Sequence, residues 1–399
     1  MSRTPMPFAI YALAAVNFAI GTQSFAFAGL LPELAADLGV TVGTAGLLVA
    51  GTAITFAVGA PFATAVVASR ERKQVILSGL LALVIINALC AITPSFAVLL
   101  GLRILSGVAT AFIGALATVA AAALVPPERR GRAFALVLGG LTVAFVMGVP
   151  LGSALGGVFG WRATFVLAAV VSALAFVLIW IVLPKITPTA GPVARIATVL
   201  RDKAILQVLL LTLFGFWATF TVVAFLGPII TDTTGATGAG VGVLQAFIGL
   251  GSIAGLAVGG TLADRKMGQT GTLIAFVLMA LTLASYWLAL SVPAGQVPEA
   301  ALATLIFSGA AALFALVPIN LTRLSYLAGP AAPIALALNG SVTSLGQGLG
   351  AAIGGLIHDS VGAAVIGPAG AAIALAGLLL GWREVKQSAP SAQAEVNRS

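Results

Sequence analysis

The chain has 399 residues, of which 60% are hydrophobic and only 8% charged, with a formal net charge of +8. A soluble domain carries about 25% charged residues, so this composition excludes a water-facing surface over most of the length. The mean hydropathy of +1.15 points to a polytopic membrane protein whose solvent is lipid.

A helix needs about 20 apolar residues to cross a bilayer. Twelve such runs are predicted, near 8–31, 43–67, 75–93, 97–124, 133–158, 163–183, 205–230, 236–263, 271–291, 300–322, 332–357 and 362–382. Proline, glycine or charge marks most of the breaks, as at Pro32, Pro94, Pro126-Pro127, Pro184, Pro293 and Pro330. The first run, with Arg3 before it and Ala26-Phe27-Ala28 near its end, also fits a signal peptide with an A-x-A cleavage site. Its apolar stretch exceeds the usual core of about 7–15 residues, so it is read as the first span.

The first run carries Asn17, Gln23 and Ser24. Glu33 and Asp37 follow at its edge. The second run closes on a charged knot, GAPFATAVVASRERKQ from Gly59 to Gln74, with Arg70, Arg72 and Lys73. The fourth run holds Arg103 with Ser106, Gly107, Thr110 and Gly114 at helical spacing. A charge inside the bilayer costs about 2.5–3.5 kcal/mol on insertion scales. Arg103 therefore either lines a polar cavity or snorkels to the headgroups. The fifth run has Gly148, Gly152 and Gly156 around Pro150, a ladder that lets a neighbouring backbone come close. Either it is packing alone, or it lets the helix bend and slide against a partner in the other half.

Past Pro184 comes a basic segment, 185–204, with Pro188 and Pro192. The seventh run carries Gln207, Trp217 and Thr221, the eighth Gln245, the tenth Asn320, and the eleventh Asn339, Ser344 and Gln347. A second charged knot, GGTLADRKMG from Gly259 to Gly268, includes Asp264 and Arg265. It sits about where the first knot sits in the first half. Gly346, Gly350 and Gly354 repeat the glycine ladder 198 residues later. Two six-helix halves follow, a transporter architecture. The expected division is a bundle at 1–184, a linker at 185–204, a bundle at 205–386 and a tail at 387–399. The sixth and twelfth runs are almost purely apolar and are expected to face lipid. The polar residues of the first, fourth, seventh and tenth runs line a central path or serve as interhelical glue, worth about 0.6 kcal/mol each on average.

Lysine and arginine placement sets orientation. With a cytoplasmic N-terminus, Arg162 is the one basic loop residue outside. Both termini are thus expected in the cytoplasm.

The knots, RILSGVATA beginning at Arg103, and GVPLGSALGG from Gly148 to Gly157 resemble the major facilitator superfamily over essentially the whole chain. The second knot matches the family's G-x-L-A-D-R loop, with its closing Gly268 one position late. The first keeps the bases, but has Ala68 or Ser69 for the acid and Thr64 or Ala65 for the glycine. GVPLGSALGG resembles the fifth-helix motif of proton-coupled drug antiporters. With GLLPELAADLG and GWRATF it looks like the branch of arabinose, chloramphenicol and purine-nucleoside exporters.

The resemblance implies an all-α membrane fold and a proton-coupled exporter of small amphipathic molecules, its cytoplasmic gate built on Arg70, Arg72, Lys73, Asp264 and Arg265. Gly148, Pro150 and Gly152 are the expected moving elements. An importer or uncoupled facilitator of a sugar or nucleoside is the alternative. No acid falls at mid-bilayer depth, so Glu33 or Asp37 is the expected proton carrier. The expected partners are a small-molecule substrate, protons and lipid, with a monomer in a bacterial inner membrane. No cofactor, metal or nucleic acid is expected: Cys90 stands alone, and the bases are scattered without aromatic interleaving. A membrane enzyme would need clustered acids or histidines, and a sensor usually adds a soluble domain. His358 beside Asp359 is read as a solvated helix end.

Overall fold

The structure is a computed structural model that describes residues 6–66, 70–126, 129–186, 196–265 and 267–396. Ala68, Ser69, Pro127, Pro188, Pro192, Arg195, Lys266 and the terminal Arg3 and Arg398 lie outside the described residues, as do the side chains of Thr64 and Ala65. Among the described residues there is no strand.

Twelve long helices run back and forth. They are α1 (Phe8–Phe25, continued by Leu31–Leu38), α2 (Val42–Val66), α3 (Arg72–Ile92), α4 (Phe96–Ala123), α5 (Arg130–Val143, continued by Val149–Phe159) and α6 (Arg162–Val182). Then come α7 (Lys203–Val223, continued by Leu226–Thr234), α8 (Ala239–Asp264), α9 (Gly268–Ser291), α10 (Glu299–Ala328), α11 (Ala332–Ser360) and α12 (Ile366–Val396). A short helix, Ile196–Arg201, precedes α7. α12 runs ten residues past the expected end of the bundle at 386. Eleven of the twelve are long and apolar enough to cross a membrane. α11 is long enough, but Asn339, Ser341, Ser344, Gln347 and six glycines dilute its apolar character. It tolerates this because α2 and α7 pack along it.

Three helices are interrupted. α1 and α7, the first helices of the two halves, each break and resume as a short helix. Both short helices end on a left-handed glycine, Gly39 (φ 66°) and Gly235 (φ 75°), whose amide returns to the last turn. In α5 a π-turn, Ala144–Gly148, comes just before Pro150. A proline ring clashes with the carbonyl four residues earlier. The wide turn removes that clash at Val146 without ending the helix.

The halves repeat one packing scheme. α1 lies on α5 and α6 as α7 lies on α11 and α12, α2 on α4 as α8 on α10, and α3 on α4 and α6 as α9 on α10 and α12. The tightest pair is α8–α10, where Gly251, Gly255 and Gly259 face the carbonyls of Phe307, Ala311 and Ala315. The halves meet along two crossings, α2–α11 and α5–α8. Burial follows: α7 is 67% buried over its most apolar window and α6 only 28%. The exposed face of α6 carries Val170, Leu174, Trp180 and Ile181, an apolar belt for lipid.

The near end is where α1 begins and α12 finishes. The far end is the opposite one.

Candidate translocation path and gates

When α1 stops at Phe25, its last carbonyls lose their helical partners. Arg103 of α4 takes two of them. Its guanidinium donates to the Gln23 carbonyl at 2.9 Å and the Gln23 side-chain oxygen at 2.8 Å, and more weakly to the Ser24 carbonyl at 3.4 Å. It stacks over Phe27 and Phe165, 4.8 and 5.9 Å from the ring centres. Arg103 is 0% exposed. That corrects both sequence alternatives: it neither lines an open path nor snorkels. A positive group at a helix C-terminus is electrostatically favourable, which is how an arginine with no carboxylate partner is tolerated here. Ser106 and Thr110 also do not face a path, because both hydroxyls return to carbonyls of α4.

The remaining polar residues divide by role. Ser24 bonds back to Ile20 within α1, whereas Gln207 reaches the Leu380 carbonyl of α12 and so acts as glue. Thr212 of α7 donates to Asn339 of α11 at 2.8 Å and accepts from Asn320 of α10 at 3.0 Å. The sequence reading missed Thr212 as the hub, because a lone threonine on an apolar helix gives no signal. Asn17 Nδ2, Trp217 Nε1 and Asn320 Oδ1 are buried with no partner, and Gln347 is buried. Gln245 of α8 accepts from Ser153 of α5, joining the halves.

A cluster of phenylalanines also spans the halves. Phe25 of α1 stacks on Phe145 of α5 and tilts against Phe220 of α7, 5.2 and 5.6 Å away. Phe145 meets Phe314 of α10 edge-on at 5.9 Å, and Phe216 touches both Phe220 and Phe314. A small apolar cavity lies against it, lined by Thr219, Val223, Ile248 and Ala310. Only the i, i+4 spacing of Phe216 and Phe220 was visible beforehand.

Of the two readings of the glycine ladders, the structure follows packing within a half rather than sliding against the other half. Gly148, Gly152 and Gly156 pack against Thr22, Ala26 and Leu30 of α1, inside their own half. Gly346, Gly350 and Gly354 pack likewise against α7. The inter-half crossing uses another face of α5, where Val146 meets Gly249, Pro150 meets Gly242, and Gly157 meets Gly238. Its counterpart brings Gly43 against Gly355, and Ala50 and Ile54 against Gly348. Gly29 and Gly227, in the breaks of α1 and α7, touch backbone to backbone. These contacts between the halves run from mid-helix to the far end.

Asp359, the neighbour of the histidine read as a solvated end, is part of this far seal. Its carboxylate accepts from the Thr41 hydroxyl and, at 3.0 Å, from the Gly43 amide at the start of α2. His358 stacks on Phe225 of α7.

At the near end, Arg70, Asp264 and Arg265 are exposed and make no ion pair with a described residue. Lys73 donates to the Trp180 carbonyl at 2.8 Å. The acid of the first knot is Glu71, which caps α3 through the amides of Lys73 and Gln74 and also accepts from Ile186 at the linker's start. Arg72 bonds the Ile186 carbonyl through its amide. Burial works to raise the Glu71 pKa, but the three amides and the Lys185 charge outweigh it and hold the carboxyl below its usual range. Arg323 pairs with Glu384, both in the second half.

The two edge acids differ. Asp37 is bound by Arg162 and the Trp161 indole, which argues against it as a proton carrier. Glu33 is exposed in the first turn of Leu31–Leu38.

The model of the Major Facilitator Superfamily matches residues 13–332. A chloramphenicol resistance protein of Streptomyces lividans is 39% identical over 357 residues, covering 88% of each chain. The inner membrane transport protein YdhP of Escherichia coli K12 is 33% identical over 373 residues, covering 93% of this chain and 94% of that protein. Among solved structures, the human organic anion transporter MFSD10 superposes with a TM-score of 0.67 at 15% identity, covering 95% of this chain and all of the other. That likeness is one of fold.

Proposed function

Because this chain belongs to the Major Facilitator Superfamily, and so is a membrane transporter rather than an enzyme, we propose that it exports small uncharged molecules from a bacterial cytoplasm by alternating access. One observation carries the reading: two matching six-helix halves that meet through two crossings, α2–α11 and α5–α8. Rocking about those crossings exposes a central site first to one side and then to the other.

The near end is the cytoplasmic one in this reading, since thirteen of the fifteen lysines and arginines among the described residues fall there. The conformation described is then closed to the outside. Asp264 and Arg265, which make no ion pair with a described residue, engage the other half when the cytoplasmic side closes, with Arg70, Arg72 and Lys73 as further basic contacts. Pro150 and the π-turn let α5 flex, while Gly148 and Gly152 keep it seated on α1.

The name of the Streptomyces relative supports export. The lining supports an uncharged cargo. The phenylalanine cluster, Asn17, Trp217, Asn320, Asn339 and Gln347 offer ring faces and neutral hydrogen-bonding groups, and the Arg103 charge is spent on α1. A desolvated cation would meet no carboxylate there, a large penalty.

The driving ion in this reading is the proton, with Glu33 as the remaining edge acid. An uncoupled facilitator is the second reading, favoured by the absence of any acid at mid-depth in the twelve spans.

Two experiments test the proposal. Expression in a pump-deficient bacterium should raise resistance to neutral aromatic antibiotics, and not to permanently charged ones. Purified protein in liposomes with an imposed pH gradient separates the drives. Accumulation that ignores the gradient leaves only the uncoupled reading.

A further inference from the structure

Asp359 makes hydrogen bonds by which a charged side chain of one half grips the other. The grip has a particular form. Residues 42–66 make a 25-residue helix whose first amides point out of its end. Such an end carries about half a positive charge. The Asp359 carboxylate comes from the last turn of α11, receives the Gly43 amide, and takes the Thr41 hydroxyl with its second oxygen. It thus caps a helix belonging to the opposite half.

The packing around it leaves no substitute. A methyl group at Gly43 would collide with Asp359 and with the Gly355 carbonyl, so the two helices touch at this point. The titratable groups that face the carboxylate are few. His358, on its own helix, lies 3.4 Å away through Nδ1. Asp232 of α7 faces that histidine in turn. α2 contributes the Thr41 and Thr44 hydroxyls and the Gly43 amide, none of which titrates. The site is partly open to water at the far end.

We propose that Asp359 is a positioning residue of the transport cycle: its carboxylate latches α11 to the start of α2 and holds the outer side shut. The assignment rests on the reading that the far end faces outward. It is separate from substrate identity and from proton drive. The helix end, the amide and the hydroxyl all favour the charged form of the carboxylate, so the latch is set by charge and geometry rather than by external acid.

The test uses a single thiol. Cys90 is the chain's one cysteine and is buried. In a Cys90→Ala background, Ala351→Cys places a thiol on the fully buried face of α11 that meets α2. Val361→Cys supplies an exposed control at the same end. Intact cells receive a membrane-impermeant maleimide, and labelling at position 351 is divided by labelling at 361. Asp359→Asn should raise that ratio about tenfold, as expected for losing one hydrogen bond to a charged group. Asp359→Glu should bring it part of the way back, and Thr41→Val should give a smaller rise. A ratio that is the same in the parent, Asp359→Asn and Thr41→Val overturns the latch. A silent 361 control would overturn the outward orientation, and with it the assignment. Neither readout depends on transport, so failure of the export reading would show separately.

Discussion

Arg103 of α4 closes the broken end of α1 through two oxygens of one residue, the carbonyl and side chain of Gln23. The contact ties an uninterrupted helix of the first half to a broken one. Everything that bends at the α1 break is therefore referred to α4.

Replacing Arg103 with alanine should lower stability by roughly 1.5–3 kcal/mol, the range for a buried hydrogen bond to a charged group. Thermal unfolding in detergent would register this. Arg103→Lys should recover only part, because an ammonium brings no second nitrogen for the Ser24 carbonyl and no planar face for Phe27. Wild-type melting in both variants would show that the α1 break needs no cap.

Gly152→Ala should disturb the first half. The added methyl would sit 2.4 Å from the Ala26 carbonyl, forcing α1 off α5. A loss of about 1–3 kcal/mol is expected for such overpacking. Gly139→Ala is the control, since a methyl there meets nothing within 4 Å. Equal melting of the two variants would mean that α1 and α5 can move apart freely.

Thr212→Val keeps shape and removes the hydroxyl shared by Asn320 and Asn339. Each amide then loses a partner while buried, at about 1–3 kcal/mol per orphaned group. Melting should fall, and the substrate profile should shift if the three residues touch cargo. A resistance panel matching wild type would confine the triad to structure.

Glu71 should give stability a pH signature. Its folded pKa lies below the model-compound value of 4.5. A depressed carboxylate contributes stability that is fully present above its unfolded pKa and is lost as pH falls through its folded one. The melting difference between the parent and Glu71→Gln should thus be largest near pH 7 and shrink below about 4.5. A difference that stays constant from pH 7 to pH 3.5 would count against the cap.

The twelve spans, the repeat and the transporter fold were legible because they rest on long apolar runs and on glycine spacing, both local to the chain. What lay beyond reach was which neighbour a face meets. The ladder Gly148-Gly152-Gly156 announces a close approach, but spacing alone cannot say whether α1 or α8 fills it. Arg103 stands out as a charge in an apolar run, and its partner is a backbone break that no residue type advertises. Asp359 looks like any polar helix end until the fold brings Gly43 to it from more than three hundred residues away. Aromatic residues hide best, since Phe25, Phe145 and Phe314 read as ordinary lipid-compatible side chains.

At three places in the far seal glycine meets glycine, Gly29–Gly227, Gly43–Gly355 and Gly157–Gly238. At those pairings neither residue has a side chain to interlock. Parting them requires no rotamer to turn and no neighbour to be unpacked first, so dispersion contacts are lost together over a short distance. Packing therefore sets little friction on opening, and the tempo of the outer side belongs to the few polar grips, Ser153 on Gln245 and Thr41 and Gly43 on Asp359.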